Sequence, residues 1–185
     1  GIKMNSADFQ RGGFNENDAA TVAKTLADLG IDLIEISGGT YETPAMAQGS
    51  DKHKHRLENT APVKESTRQR EAYFLEFAEM LRTKVDVPLM VTGGFRTAEG
   101  MAAAIESGAC DLVGLGRPLC VEPDLVNRIL AGEEFTSVVR PIKTGVKMID
   151  KMALMEVSWY ERQLHRMGKG KAPRRQDQGF WSLLD

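Results

Sequence analysis

Two glycine pairs sit where chemistry could be done. Gly93-Gly94 closes the apolar run Pro88 to Thr92 (PLMVT), and Gly114-x-Gly116 closes Asp111 to Leu115 (DLVGL). Both lie at the C-terminal ends of strand-like segments, and the first leads into a helix that Thr97 can cap. This is how an anion site is built: glycine lets the backbone approach phosphate oxygens, N–H groups at a helix start donate to them, and the helix dipole favours negative charge there. A sharp strand-to-helix turn also needs glycine on steric grounds alone, so one pair by itself carries either meaning. Two pairs on consecutive units favour the anion. Arg117, next to Gly116, adds a cation suited to a phosphate or to a structural ion pair.

Other reactive residue types are less informative. His53 and His55 alternate in an extended KHKH run, but the flanking lysines repel a metal cation, so a solvated loop is expected. Cys110 and Cys120 form no CxxC pair and have no histidine at ligand spacing, which argues against zinc and against a disulfide-stapled secreted domain. Both are expected to be buried, reduced thiols. Tyr41 follows Gly38-Gly39 and could reach over a ligand or simply pack, and His165 is expected at the surface.

Positioning these residues falls to alternating strands and helices, the pattern of βα units and a parallel sheet. The segment Gly1 to Met4 reads as the end of a strand and does not begin with methionine, so the chain is expected to start inside a fold. A helix fits residues 17 to 29, with Asn15 or Asn17 as its cap, Val22, Leu26 and Leu29 on one face, and Gly30 beyond its end. Ile31 to Ser37 is the second strand. A connection of roughly 28 residues follows, longer than most loops. Ser66 with Gln69 then forms a capping box before a helix whose stripe is Phe74, Phe77, Ala78 and Leu81.

After the third strand, Thr97 caps a helix with Met101, Ala104 and Ile105 on its apolar side, ended by Gly108. The fourth strand is Asp111 to Leu115, and Pro123 is expected to open a helix through Leu130, stopped by Gly132. Residues 146 to 167 read as a further helix with Met148, Met152, Met155 and Trp159 along one side, a stripe that fits core packing. Phe180 to Leu184 are apolar again and are expected to dock back.

Composition sets the outer limits. With 185 residues, 42% hydrophobic and 27% charged, the chain is long and apolar enough for a packed core and is not disordered. A formal net charge of −2 leaves no global field to attract nucleic acid or anionic membrane, and the basic stretch Arg166, Lys169, Lys171, Arg174 and Arg175 reads as a solvated tail. No apolar run reaches the length of a membrane span, and no signal-peptide pattern opens the chain, so a cytoplasmic protein is expected.

Several stretches together resemble the old yellow enzyme family of NAD(P)H:flavin oxidoreductases. Val91 to Thr97 (VTGGFRT), and Asp111 to Leu119 (DLVGLGRPL) with Glu122 to Leu125 (EPDL), look like that family's strand 7 and strand 8 motifs, the latter being the most distinctive. Gly1 to Phe9 with Gly12-Gly13 is similar to its strand 5, and Glu35 to Tyr41 with Arg70 to Phe74 to its strand 6 region. The likeness covers residues 1 to 130 or so. It implies an α/β fold: the (βα)4 C-terminal half of a TIM (β/α)8 barrel, strands 5 to 8, in residues 1–132, with a helical extension over 133–185 packing on it.

The resemblance further implies an FMN-dependent oxidoreductase that draws electrons from NADH or NADPH and reduces a small-molecule acceptor. It places the FMN phosphate against the backbone around Gly93, Gly94, Gly116 and Arg117. It makes Lys3 both a cofactor-binding and a catalytic residue, beside the flavin N1 and C2 carbonyl. A fixed cation there stabilises the negative charge left when hydride arrives at N5. The family's substrate-binding His/His or His/Asn pair and its tyrosine proton donor lie upstream of Lys3 in chain order, and this sequence holds no counterpart. Two other readings stay open: a non-catalytic phosphate- or flavin-binding module, and a fragment of a longer parent. A half-barrel would leave open strand edges, so a complementary N-terminal half, or self-association, is the expected partner.

Overall fold

The computed structural model describes residues 1–8, 12–37, 75–139 and 154–174. Four short strands, β1 (Ile2–Asn5), β2 (Ile34–Ser37), β3 (Leu89–Thr92) and β4 (Leu112–Gly114), pair in sequence order into one wholly parallel sheet. Helices separate them: α1 (Glu16–Asp28), α2 (Leu75–Arg82) and α3 (Ala98–Glu106), as parallel pairing requires of its crossovers. Three more follow β4: α4 (Arg117–Val121), α5 (Leu125–Leu130) and α6 (Leu154–Gly168). The chain forms two compact units, Gly1–Leu115 and Gly116–Asp185. Among the described residues no helix is long and apolar enough to cross a membrane.

In the first unit, alternate strand residues face opposite ways, and the two central strands bury one face completely. Ile34, Ile36, Leu89 and Val91 are all 0% exposed. They share the core with Phe77, Ala78 and Leu81 of α2 and with Met101 and Ala104 of α3. Of the stripes expected for these two helices, Phe77, Ala78, Leu81, Met101 and Ala104 are buried and Ile105 is exposed, while Phe74 lies outside the described residues.

For α1 the expected face is wrong. Val22 and Leu29 are exposed, and the buried residues are Ala19, Ala20 and Ala23. This helix buries its small residues, which allow a close approach to the neighbouring layer, and leaves Leu26 half-buried. The start of α1 is as expected. Asn15 Oδ1 accepts from the Asn17 and Asp18 N–H groups (2.9 and 3.2 Å), and Asp18 accepts from the Asn15 N–H (3.1 Å), a complete capping box.

Across the sheet, Asp111 ties two strand starts together. Its Oδ2 accepts from the Leu89 N–H (2.8 Å) and from the Arg82 guanidinium. The Leu89 hydrogen bond is the largest effect and holds the Asp111 carboxyl below its ordinary value; burial, the next largest, opposes it, and the Arg82 hydrogen bond and charge add to the lowering. A carboxylate with a lowered folded-state pKa contributes stability that is present above about pH 4 and is lost as the pH falls through the folded value. Asp111→Asn keeps an acceptor for Leu89 and loses the charge. Because Asp111 is half exposed, the expected loss is about 1 kcal/mol near neutral pH. Urea unfolding of the two proteins should converge as the pH drops below about 4. A gap that stays constant to pH 2 or so would contradict this origin.

In the second unit, Trp159 and Tyr160 of α6 meet edge to face at 5.0 Å and share a small core with Val139, packed by Cys120 and Val121. Trp159 is buried as its position in the stripe predicts; Met148, Met152 and the Met155 side chain lie outside the described residues. Buried Gln163 is satisfied at both ends, donating to the Trp159 carbonyl (3.2 Å) and accepting from the Arg174 N–H (2.8 Å). Two local details differ from expectation. Pro123 precedes α5 rather than opening it, and the short helix α4, with Pro118 in its first turn, was not anticipated. At five residues α4 is too brief for periodicity to reveal it.

Candidate functional site

The sheet face opposite the dry core carries the polar residues. Cross-strand register places Lys3, Glu35, Met90 and Leu112 in one row, and a row nearer the C-terminal strand ends holds Asn5 with Ser37 and Thr92 with Gly114. Lys3 Nζ lies 2.8 Å from Glu35 Oε1, the lysine side chain 52% and the glutamate 20% exposed. Sequence reasoning gave Glu35 no role. Its signal was the register of parallel strands, which a single sequence does not state.

Beyond β1 the chain is fixed by Asp8, whose carboxylate accepts from the Asn5 amide (3.0 Å) and the Phe14 N–H (3.1 Å). Beyond β3, Gly93 and Gly94 adopt φ of 135° and 85°, conformations closed to most L side chains. Thr97 then caps α3 by accepting from the Gly100 N–H at 3.0 Å. Among the described residues, Thr92 Oγ1 is the buried side-chain polar atom that has no hydrogen-bond partner. A buried hydroxyl left so is costly, and it stands at the strand end that runs into Gly93-Gly94.

The other two glycines have different reasons. A Cβ at Gly114 would overlap the Thr92 hydroxyl, so β4 needs glycine where β3 presses against it. A Cβ at Gly116 would meet no atom within 4 Å, and φ there is −106°, so neither a Cβ contact nor a positive φ demands glycine. Gly93 and Gly94 belong to the first compact unit; Gly116 and Arg117 open the second, as cap and first residue of α4.

Other candidates fall away from this region or outside the described residues. Cys110 is buried and Cys120 half-buried, both free thiols. Burial raises the pKa of each, for Cys110 with help from Asp111 and against Arg82, so neither is a ready nucleophile. His165 is exposed and lines a concavity along α6 with Glu161, Leu164, Gly168 and Lys169, which contains none of the predicted site residues. Tyr41, His53 and His55 lie outside the described residues, as does the Ser66 cap.

Comparison with known proteins identifies the family. Residues 18–135 match the model of the NADH:flavin oxidoreductase / NADH oxidase family. The chain is 37% identical over 146 residues to the NADH-dependent flavin oxidoreductase iliE of Neonectria sp. (strain DH2), covering 78% of this chain and 18% of that protein. It is 35% identical over 159 residues to the NADH-dependent flavin oxidoreductase iccE of Talaromyces variabilis, covering 80% and 36%. The chain thus spans well under half the length of either relative. In fold it is similar to a 2-naphthoyl-CoA reductase, with a TM-score of 0.56 at 20% identity over 71% of this chain and 18% of that one. The family-model match takes in most of α1, the three later strands and both glycine turns. The chain belongs to the NADH:flavin oxidoreductase / NADH oxidase family, the old yellow enzyme family of FMN-dependent enzymes that use NADH or NADPH.

Proposed function

We propose that this chain supplies strands 5 to 8 of an FMN-binding (β/α)8 barrel in an ene-reductase-type NAD(P)H oxidoreductase. Four parallel βα units in sequence order support this reading. The observation that carries it is the end of β3: two glycines at positive φ, a capped helix start, and the unpartnered Thr92 hydroxyl. This combination fits an anionic, hydrogen-bonding cofactor. FMN, when bound, would supply hydride transfer between a nicotinamide and a small electron-poor acceptor.

The chain's own residues have separate tasks in this reading. The family resemblance assigns the phosphate to the backbone N–H groups at Gly93 and Gly94 and to those at Gly116 with the Arg117 guanidinium. Lys3 holds positive charge on the polar sheet face, opposite the helices, where it stabilises charge that develops on the cofactor. Substrate selection and proton donation belong to segments outside this chain.

The polar face and the two outer strands, each with one described neighbour, are assigned to a complementary half-barrel or a second copy. This chain by itself is then expected to self-associate; a compact monomer in sedimentation at micromolar concentration would contradict that. The functional reading is tested by purifying the full-length protein with FMN and adding NADH anaerobically. Bleaching of the visible flavin absorbance is expected, and an oxidised flavin unchanged by both NADH and NADPH would overturn the reading.

A further inference from the structure

Lys3 is the residue through which this chain would act on the cofactor's electronics, yet its ammonium is already engaged. Glu35, its register partner on the next strand, holds it at 2.8 Å on the same sheet face. An exposed lysine has a long, mobile stem and a charge that wanders with it. A carboxylate fixed on the neighbouring strand confines that charge and subtracts from its field, since opposite unit charges this close largely cancel at a distance. Glu35 is the less exposed of the two, 20% against 52%, so it is the anchor and Lys3 the anchored group.

We propose that Glu35 is a positioning residue that sets the flavin reduction potential through Lys3, holding it lower than an unpaired lysine would. The inference rests on the assignment of Lys3 to the cofactor. A lone cation beside the reduced cofactor favours reduction; a cation paired with a carboxylate favours it less. Glu35→Gln keeps an oxygen that can accept from the ammonium and removes the opposing charge. The reduced-to-oxidised ratio of bound FMN at a fixed poise should then rise about ten-fold, which is about 30 mV for a two-electron couple.

The experiment is an anaerobic redox titration of the full-length FMN protein against a reference dye, in the wild type, Glu35→Gln and Lys3→Met. Glu35→Ala serves as a second charge-removing variant should the glutamine protein fold poorly. A raised potential for Glu35→Gln with a lowered one for Lys3→Met supports the proposal. A lowered potential for Lys3→Met with none of the rise for Glu35→Gln or Glu35→Ala overturns it and leaves the Lys3 assignment standing. A potential unmoved by Lys3→Met overturns that assignment, and the role of Glu35 with it.

Discussion

Gly114→Val is expected to lower the unfolding free energy by about 3 kcal/mol, at the upper end of overpacking costs. Gly114 pairs with Thr92 across β3 and β4. Its new Cβ would overlap the Thr92 hydroxyl and come within 2.8 Å of Thr92 Cβ and 3.2 Å of Thr92 Cα. The hydroxyl could rotate away, but the Cα belongs to the backbone of a paired strand and has nowhere to go. A strand normally gains about 0.5–1 kcal/mol when glycine is replaced by a residue with a side chain, so at an ordinary position valine would stabilise. Here the clash is the larger effect and decides the sign. Urea unfolding of the wild type, Gly114→Ala and Gly114→Val would show it, with the alanine variant intermediate. Equal or greater stability of Gly114→Val would mean that the close approach of the two strands is absent.

How far such features could be read from the sequence depended on what each residue type reports. Strand and helix order was legible because apolar runs and caps are local: Asn15, Thr97 and the PLMVT run each mark their element without reference to anything distant. The buried face of α1 was not, because hydrophobic periodicity weights large residues, and Ala19, Ala20 and Ala23 are buried for their smallness. The glycines of the candidate site were found as a group, but their reasons were not separable. Backbone angles distinguish Gly93 and Gly94, strand contact distinguishes Gly114, and the lack of either distinguishes Gly116. Glu35 was passed over because its meaning is a cross-strand pairing with Lys3, and register is a property of two segments at once.

Gly116 therefore offers the cleanest test of the proposed phosphate site. At Gly93 or Gly94 any side chain is strained by the positive φ, and at Gly114 it collides with Thr92, so lost cofactor binding there could follow from a damaged fold. At Gly116 a Cβ meets no atom within 4 Å, and a poorer helix cap costs up to about 1 kcal/mol. Blocking an anion's approach would remove one or two charge-assisted hydrogen bonds of about 1.5–3 kcal/mol each, ten-fold or more in affinity per bond. Gly132 is unsuitable as a control because it sits at φ 82°; Gly168, with ordinary φ and open space, is suitable.

The most direct measurement is the affinity of the full-length protein for FMN and for riboflavin, which lacks the phosphate, in the wild type, Gly116→Val and Gly168→Ala. The phosphate assignment predicts that Gly116→Val loses FMN affinity ten-fold or more, keeps its riboflavin affinity, and so forfeits the wild-type preference for FMN, while Gly168→Ala changes neither. An FMN-to-riboflavin preference unchanged in Gly116→Val would contradict it.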